Sequence, residues 1–254
     1  VDALKRLLIE NNHTSTHLLH EALRTVLGTH VEQKGSLVND QYLRFDFSHF
    51  SKMTEEEVQQ VEVIVNAKIR ENIALNEKRS VLMSEAEKMG AMMLFGEKYG
   101  DAVRVIQFGS SVELCGGCHV PSTGQIGIFK ISSEVGVAAG IRRIEAITSE
   151  VAFEYYKKQE ETLNTLRSLL KNSNDPVKGV ECLIKDRAEL EKKVALLVAE
   201  KTKGLKAELL QSVIEINGVN FIGALVDLES ASMKDLSFAC KRELGNLVMV
   251  LGAK

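Results

Sequence analysis

The periodicity of this chain changes near Glu150, and that change sets limits on the architectures open to it. Up to residue 150 two periods alternate. Leu18, Leu19, Ala22, Leu23, Val26 and Leu27 mark one face of a helix, while Val103, Val105, Ile126, Ile128, Ile131, Ile141 and Ile144 fall in short alternating runs. Recurrence every three to four residues belongs to helices and recurrence every second residue to half-buried strands, so 1–150 reads as an α+β domain. The capping boxes Thr54-x-x-Glu57 and Ser84-x-x-Glu87 announce two further helices, and glycine is dense between 90 and 140, where strand turns are expected.

Beyond Glu150 glycine becomes scarce. Leu163, Leu166, Leu169 and Leu170 recur at helical spacing, Asn172-Ser173-Asn174-Asp175-Pro176 breaks the pattern, and Val180, Leu183, Leu190, Val194, Leu197 and Val198 resume it. This predicts an antiparallel helical hairpin or coiled-coil linker over 151–211. From 212 to 254 the signals are a hairpin around Asn217-Gly218, a helix near Lys234–Leu244 and a strand Leu247–Leu251, which together suggest the start of a truncated α/β piece. The chain opens on Val1 in mid-pattern and is expected to be a fragment of a longer protein.

Composition excludes several classes. With 44% hydrophobic and 26% charged residues and a net charge of -3, the chain is not globally basic, so any nucleic-acid contact has to use a local basic face. No apolar run reaches the roughly 18 residues that a membrane span needs. Cys115 and Cys118 sit in a glycine loop, and Cys182 and Cys240 are isolated in helical patterns. That is not a secreted disulfide framework, and a cytoplasmic setting fits it best.

The chemistry concentrates in two segments. In His13-Thr14-Ser15-Thr16-His17 the histidines stand at i and i+4 on one helix face, close enough to share a metal, and the segment is read as opening the first helix. His20 is read as lying on a different side, in a structural role. About a hundred residues later Cys115-Gly116-Gly117-Cys118-His119 places a thiol and an imidazole in a turn whose glycines permit a tight loop. Together they offer imidazole nitrogens and a sulfur suited to tetrahedral zinc, with Cys115 and Cys118 both open as the sulfur ligand and a redox pair as the alternative. A zinc protease of the His-Glu-x-x-His type needs a glutamate where this chain has Thr14, so peptidase chemistry is disfavoured.

Six stretches then resemble, in order, the signatures of the editing domain of alanyl-tRNA synthetases. They are Asn12–His20, His30–Val38, Arg44–His49, Gly90–Tyr99, Glu113–His119 and Gly140–Ala146. The resemblance covers essentially the whole chain. It implies the threonyl/alanyl-tRNA synthetase second additional domain, followed by the family's helical linker and the beginning of its C-terminal tRNA-binding domain.

The resemblance also implies zinc on His13, His17, Cys115 and His119. It gives Gln33 a role in hydrolysis, with Thr14 and Thr16 placed to sense a serine hydroxyl, and it makes Lys34, Arg44, Arg142 and Arg143 candidates for RNA contact. The implied partner is tRNA(Ala) mischarged with serine or glycine, and the complete C-terminal domain would allow a homodimer. ATP and Mg2+ belong only to the aminoacylation domain, which this stretch lacks, as it lacks the small barrel that precedes the first motif. The family loop usually reads Cys-Gly-Gly-Thr-His, so Cys118 is a departure, and it favours Cys115 as the sulfur ligand. Against the hydrolase stands the alternative of a non-catalytic, zinc-stabilised tRNA-binding or dimerisation module. Four protein ligands would argue for a closed structural site and three plus water for catalysis.

Overall fold

The computed structural model describes residues 2–93, 100–170 and 174–253; most of the Gly90–Tyr99 signature and the start of the Asn172–Pro176 breaker lie outside them. The chain divides into two compact units, 1–162 and 163–254.

In the first unit, α1 (Ala3–Leu27) starts on Asp2, whose carboxylate accepts the Lys5 N–H, and stops at Gly28, which takes φ +113°. His13 therefore stands in mid-helix and does not open it, because the cap lies eleven residues earlier. The strands β1 (Gln33–Val38) and β2 (Leu43–Ser48) follow, and then α2 (Glu55–Arg70) opens on the expected capping box. Its Thr54 hydroxyl accepts the Glu57 N–H at 3.1 Å, and the Glu57 carboxylate accepts the Thr54 N–H at 2.8 Å. After β3 (Asn76–Leu82), the short α3 (Met83–Lys88) has Leu82 at its cap with no side-chain bond. The box expected at Ser84 does not form, since Ser84 already lies inside the helix.

β4 (Ala102–Phe108), β5 (Ser111–Leu114), a 3-10 turn at Thr123–Ile126, β6 (Phe129–Ala138), β7 (Ile141–Thr148) and α4 (Ser149–Leu169) complete the order. Ile126 and Ile128 fall in the turn and its exit, not in a strand, although Ile126 is fully buried. Two antiparallel sheets result, β1-β2-β7-β6 and β3-β4-β5. Gly109 and Gly140 take positive φ at two hairpin turns, where a Cβ would strain the backbone. On β2 the alternation Leu43, Phe45, Phe47 is buried, and these side chains share a core with Leu18, Leu19 and Leu23 of α1 and Val61 and Val65 of α2. Burying such side chains contributes roughly 1.5–3 kcal/mol each.

The second unit contains α5 (Pro176–Gln211), capped by Asp175 with Pro176 at its first turn, as the breaker predicts. The apolar row Leu183, Leu190, Val194 and Leu197 is exposed along it. β8 (Ile214–Ile216) and β9 (Val219–Val226) form the expected hairpin, with Asn217 and Gly218 both at positive φ. The helix α6 (Ser230–Glu243) then leads to β10 (Leu247–Ala253), parallel to β9. Leu209, near the end of α5, packs with Ile222, Leu236 and Cys240, so the linker helix and the α/β piece share one core. Among the described residues no helix is long and apolar enough to cross a membrane.

Candidate metal centre

The register of α1 carries Arg6, Glu10, His13, His17 and His20 at i, i+4, i+7, i+11 and i+14, a polar stripe along a helix whose neighbouring face is core. Asparagines beside His13 fix the helix. Asn12 Nδ2 donates to Asn39 O at 2.8 Å, Thr148 Oγ1 donates to Asn12 Oδ1 at 2.7 Å, and Asn11 Nδ2 donates to Ser149 Oγ at 2.7 Å. Both amides are buried, and these bonds tie α1 to the chain after β1 and to the end of β7.

The loop after β5 meets this stripe. His13, His17, Cys115 and His119 bring one ligand atom each to within 4.8 Å of one another. His13 Nε2 and His119 Nε2 both lie 3.4 Å from Cys115 Sγ, and the Gly117 N–H points at the same sulfur from 3.4 Å. Cys118 is outside the group, half-buried at the rim of the loop. Neither loop glycine has a positive φ, and only Gly117 needs to be glycine, because of what its side chain would meet. A Cβ on Gly117 would lie 2.0 Å from His13 Cε1, whereas one on Gly116 would meet nothing within 4 Å.

Three features suit a metal of borderline softness. The donor set is three imidazoles and a thiol. Burial lowers the pKa of His13, of His17 and of His119, the last to about 3, which holds all three rings in the neutral form that ligation requires. His17 Nδ1 is buried without a hydrogen-bond partner, an arrangement that costs free energy unless a ligand meets it. Burial also pushes the Cys115 thiol up, so a cation is needed to hold it as thiolate.

The residues around the four donors support them in ways the sequence does not state. Thr14, fully buried, pairs its hydroxyl with His119 Nδ1 at 3.2 Å and accepts the Val120 N–H at 3.2 Å. Thr16 donates to the Asn12 carbonyl at 2.9 Å. Neither threonine caps a helix. Arg104 on β4 donates to the carbonyls of Cys115, at 3.0 Å, and Gly117, while its Nε holds Glu77 at 2.6 Å. Glu113 is buried with Oε2 3.5 Å from His17 Nε2 and Oε1 3.1 Å from His20 Nδ1. His20 therefore shares a carboxylate with His17 and is not turned to another side. Glu113 opens the Glu113–His119 stretch two residues before Cys115, and period-two spacing in extended chain is the signal that could have placed it on the side of the sulfur.

The other expected residues lie on the four-stranded sheet. Gln33 pairs with Phe47, whose side chain is core, and donates to Ser36 Oγ at 3.2 Å. Asn39, just past the end of β1, sits beside Asn12, and Gln33 is the first residue of that strand. Lys34 pairs with Glu32, Arg44 and Arg143 both meet Asp46, and Arg142 meets Glu134.

Residues 103–145 match the family described as the threonyl and alanyl tRNA synthetase second additional domain. The chain is 53% identical to an alanine–tRNA ligase of Christiangramia forsetii, with all of this chain and 29% of that protein aligned. It is 53% identical to one of Cytophaga hutchinsonii over 99% of this chain and 29% of the relative, and 49% identical to one of Bacteroides thetaiotaomicron over 100% and 29%. The chain spans less than a third of the length of these relatives. It is homologous from end to end to a portion of the alanine–tRNA ligases, and residues 103–145 carry the second additional domain shared by threonyl and alanyl tRNA synthetases.

Proposed function

We propose that the chain binds one zinc ion through His13, His17, Cys115 and His119, and that the site built around it hydrolyses the ester of tRNA(Ala) mischarged with serine or glycine. The supporting observation is the convergence of three imidazoles and a thiol, from segments about a hundred residues apart, in a relative of alanine–tRNA ligases. The physical need is clear. Glycine fits any pocket built for alanine, and serine adds only a hydroxyl, so binding alone discriminates too weakly and a hydrolytic second sieve is required. In the whole protein this activity would accompany ligation of alanine to tRNA(Ala).

Bound zinc supplies a fixed positive charge and Lewis acidity at the mouth of the loop. The chain's own residues aim and support the ligands. Arg104 ties the Cys115 and Gly117 carbonyls to β4, and Glu113 holds His17 and His20 together. Thr14 fixes the His119 ring and is thereby a positioning residue, while the roles of Thr16 and Gln33 toward the substrate rest on the family resemblance. Thr14→Val, which keeps the shape and removes the hydroxyl, is expected to weaken zinc binding by about 10- to 100-fold, as loss of an outer partner of a ligating histidine usually does, with Thr14→Ser restoring it. Competition against a chromophoric chelator measures this, and parental affinity in Thr14→Val would remove the role.

Gln33→His is expected to slow Ser-tRNA(Ala) hydrolysis by roughly tenfold, the worth of about one hydrogen bond, with the melting temperature unchanged. A parental rate would take Gln33 out of the site. The reading as a whole is tested by deacylation of Ser-tRNA(Ala) with and without chelator: turnover that chelation abolishes and added zinc restores is expected. The four protein donors also support a second reading, in which zinc is a clamp in a non-catalytic tRNA-binding or dimer-forming module. Zinc-loaded protein that binds tRNA or dimerises and never releases serine would establish that reading instead.

A further inference from the structure

A polar cleft of about 470 Å³ opens beside the metal centre, lined by Arg6 and Glu10 of α1, Glu77 and Arg79 of β3, Arg104 of β4, and Gly116, Gly117, Cys118 and His119 of the loop. That volume falls within the range of small-molecule and cofactor sites. His119 belongs both to the cleft wall and to the metal group, so an occupant of the cleft reaches the proposed zinc directly. The walls come from three elements and a loop of the first unit, and three guanidinium groups converge on them against two carboxylates.

The arginines are not equivalent. Arg104 is committed to the loop carbonyls and to Glu77. Arg79 and Arg6 stand at the rim, with side chains 81% and 58% exposed, and they share their carboxylates differently. Glu77 accepts from both Arg79 and Arg104, so it keeps a partner when Arg79 turns to an anion. Arg6 holds Glu10 through Nε at 2.8 Å, so the terminal N–H groups of the same guanidinium can bond a phosphate without breaking that pair. Lys34, Arg44, Arg142 and Arg143 are ion-paired too, but none of them lines this cleft.

We propose that this cleft receives the 3′-terminal nucleotide of the tRNA, with Arg6 and Arg79 holding its phosphodiester while the ester-bearing ribose faces His119. The proposal rests on the hydrolase reading above and adds to it the route by which the RNA end enters. Guanidinium groups match phosphate geometry in two-point contacts, and placing them on the rim leaves the inner end of the cleft to the ester.

The test is binding of a fluorescent RNA hairpin with the acceptor end of tRNA(Ala) and no attached amino acid, followed by anisotropy across a salt series, for the parental chain, Arg6→Ala, Arg79→Ala and the double variant. Each single change is expected to weaken binding severalfold and to reduce the slope of log K against log salt by about one. Zinc content and melting temperature should stay parental, because both side chains are largely exposed. Lys52→Ala, an exposed change outside the cleft, should leave both quantities alone. Parental affinity and slope in the double variant, or no measurable binding by the parental chain, would overturn the proposal. Since the RNA carries no ester, failure of the hydrolase reading shows separately, as absent Ser-tRNA(Ala) deacylation with the arginine variants still weakening RNA binding.

Discussion

A Gly117→Ala chain is expected to fold and to lose its metal, while Gly116→Ala keeps both fold and metal. The contrast follows from two positions one residue apart in the same turn. A methyl group at 117 would lie 2.0 and 2.4 Å from two atoms of the His13 ring, far inside any real contact, and at 116 it would meet nothing within 4 Å. The His13 ring is the movable partner, so the clash can be relieved by swinging it away. Relief takes His13 out of the group of four donors. Zinc affinity should therefore fall by more than the roughly 100-fold typical of outer-shell changes, toward the effect of deleting a ligand. The first-unit core of Leu18, Phe45, Phe47 and Val61 is not disturbed, so the apo fold should survive. Elemental analysis together with chelator competition measures the difference, and equal zinc affinity in the two alanine variants would show that His13 is not a ligand.

Replacement of the two loop cysteines should give opposite results. Cys115→Ser is expected to abolish stoichiometric zinc and lower the melting temperature of the loaded protein, since structural zinc sites are worth about 10–16 kcal/mol of apparent binding free energy at neutral pH. Cys118→Thr should retain full zinc, because Cys118 lies outside the donor group and is half-buried at the cleft rim. In the loaded protein Cys115 should resist alkylation while Cys118 reacts at an ordinary rate wherever solvent reaches it. Zinc lost with Cys118→Thr and kept with Cys115→Ser would mean that the sulfur ligand has moved to Cys118.

The four candidate donors that the structure brings together stood out by spacing and chemistry because metal ligands are few in type: two histidines lie one helical turn apart, and a cysteine and a histidine share a glycine turn. The same holds for the Thr54 box, the Asp175-Pro176 helix start and the Asn217-Gly218 hairpin, where local backbone geometry demands particular residues. Ser84 and Ile126–Ile128 misled for the complementary reason. A capping pattern does not state where the chain turns, and an apolar residue two positions from another is buried equally well in a 3-10 turn.

By itself the sequence determined the α+β character of the first 150 residues and the local start and stop signals, which depend on residues near one another in the chain, and it offered the candidate donors with the sulfur open between Cys115 and Cys118. Only the tertiary structure decided what surrounds those donors. Thr14 on His119, Glu113 between His17 and His20, and Arg104 on the loop carbonyls are contacts across 93–105 residues or between separate strands, set by how α1 crosses the sheets. Gly117 shows the difference most sharply. The glycine pair suggested a tight turn, but the backbone at Gly117 needs no glycine torsion, and what excludes a side chain there is the His13 ring, brought against it from a helix more than a hundred residues away.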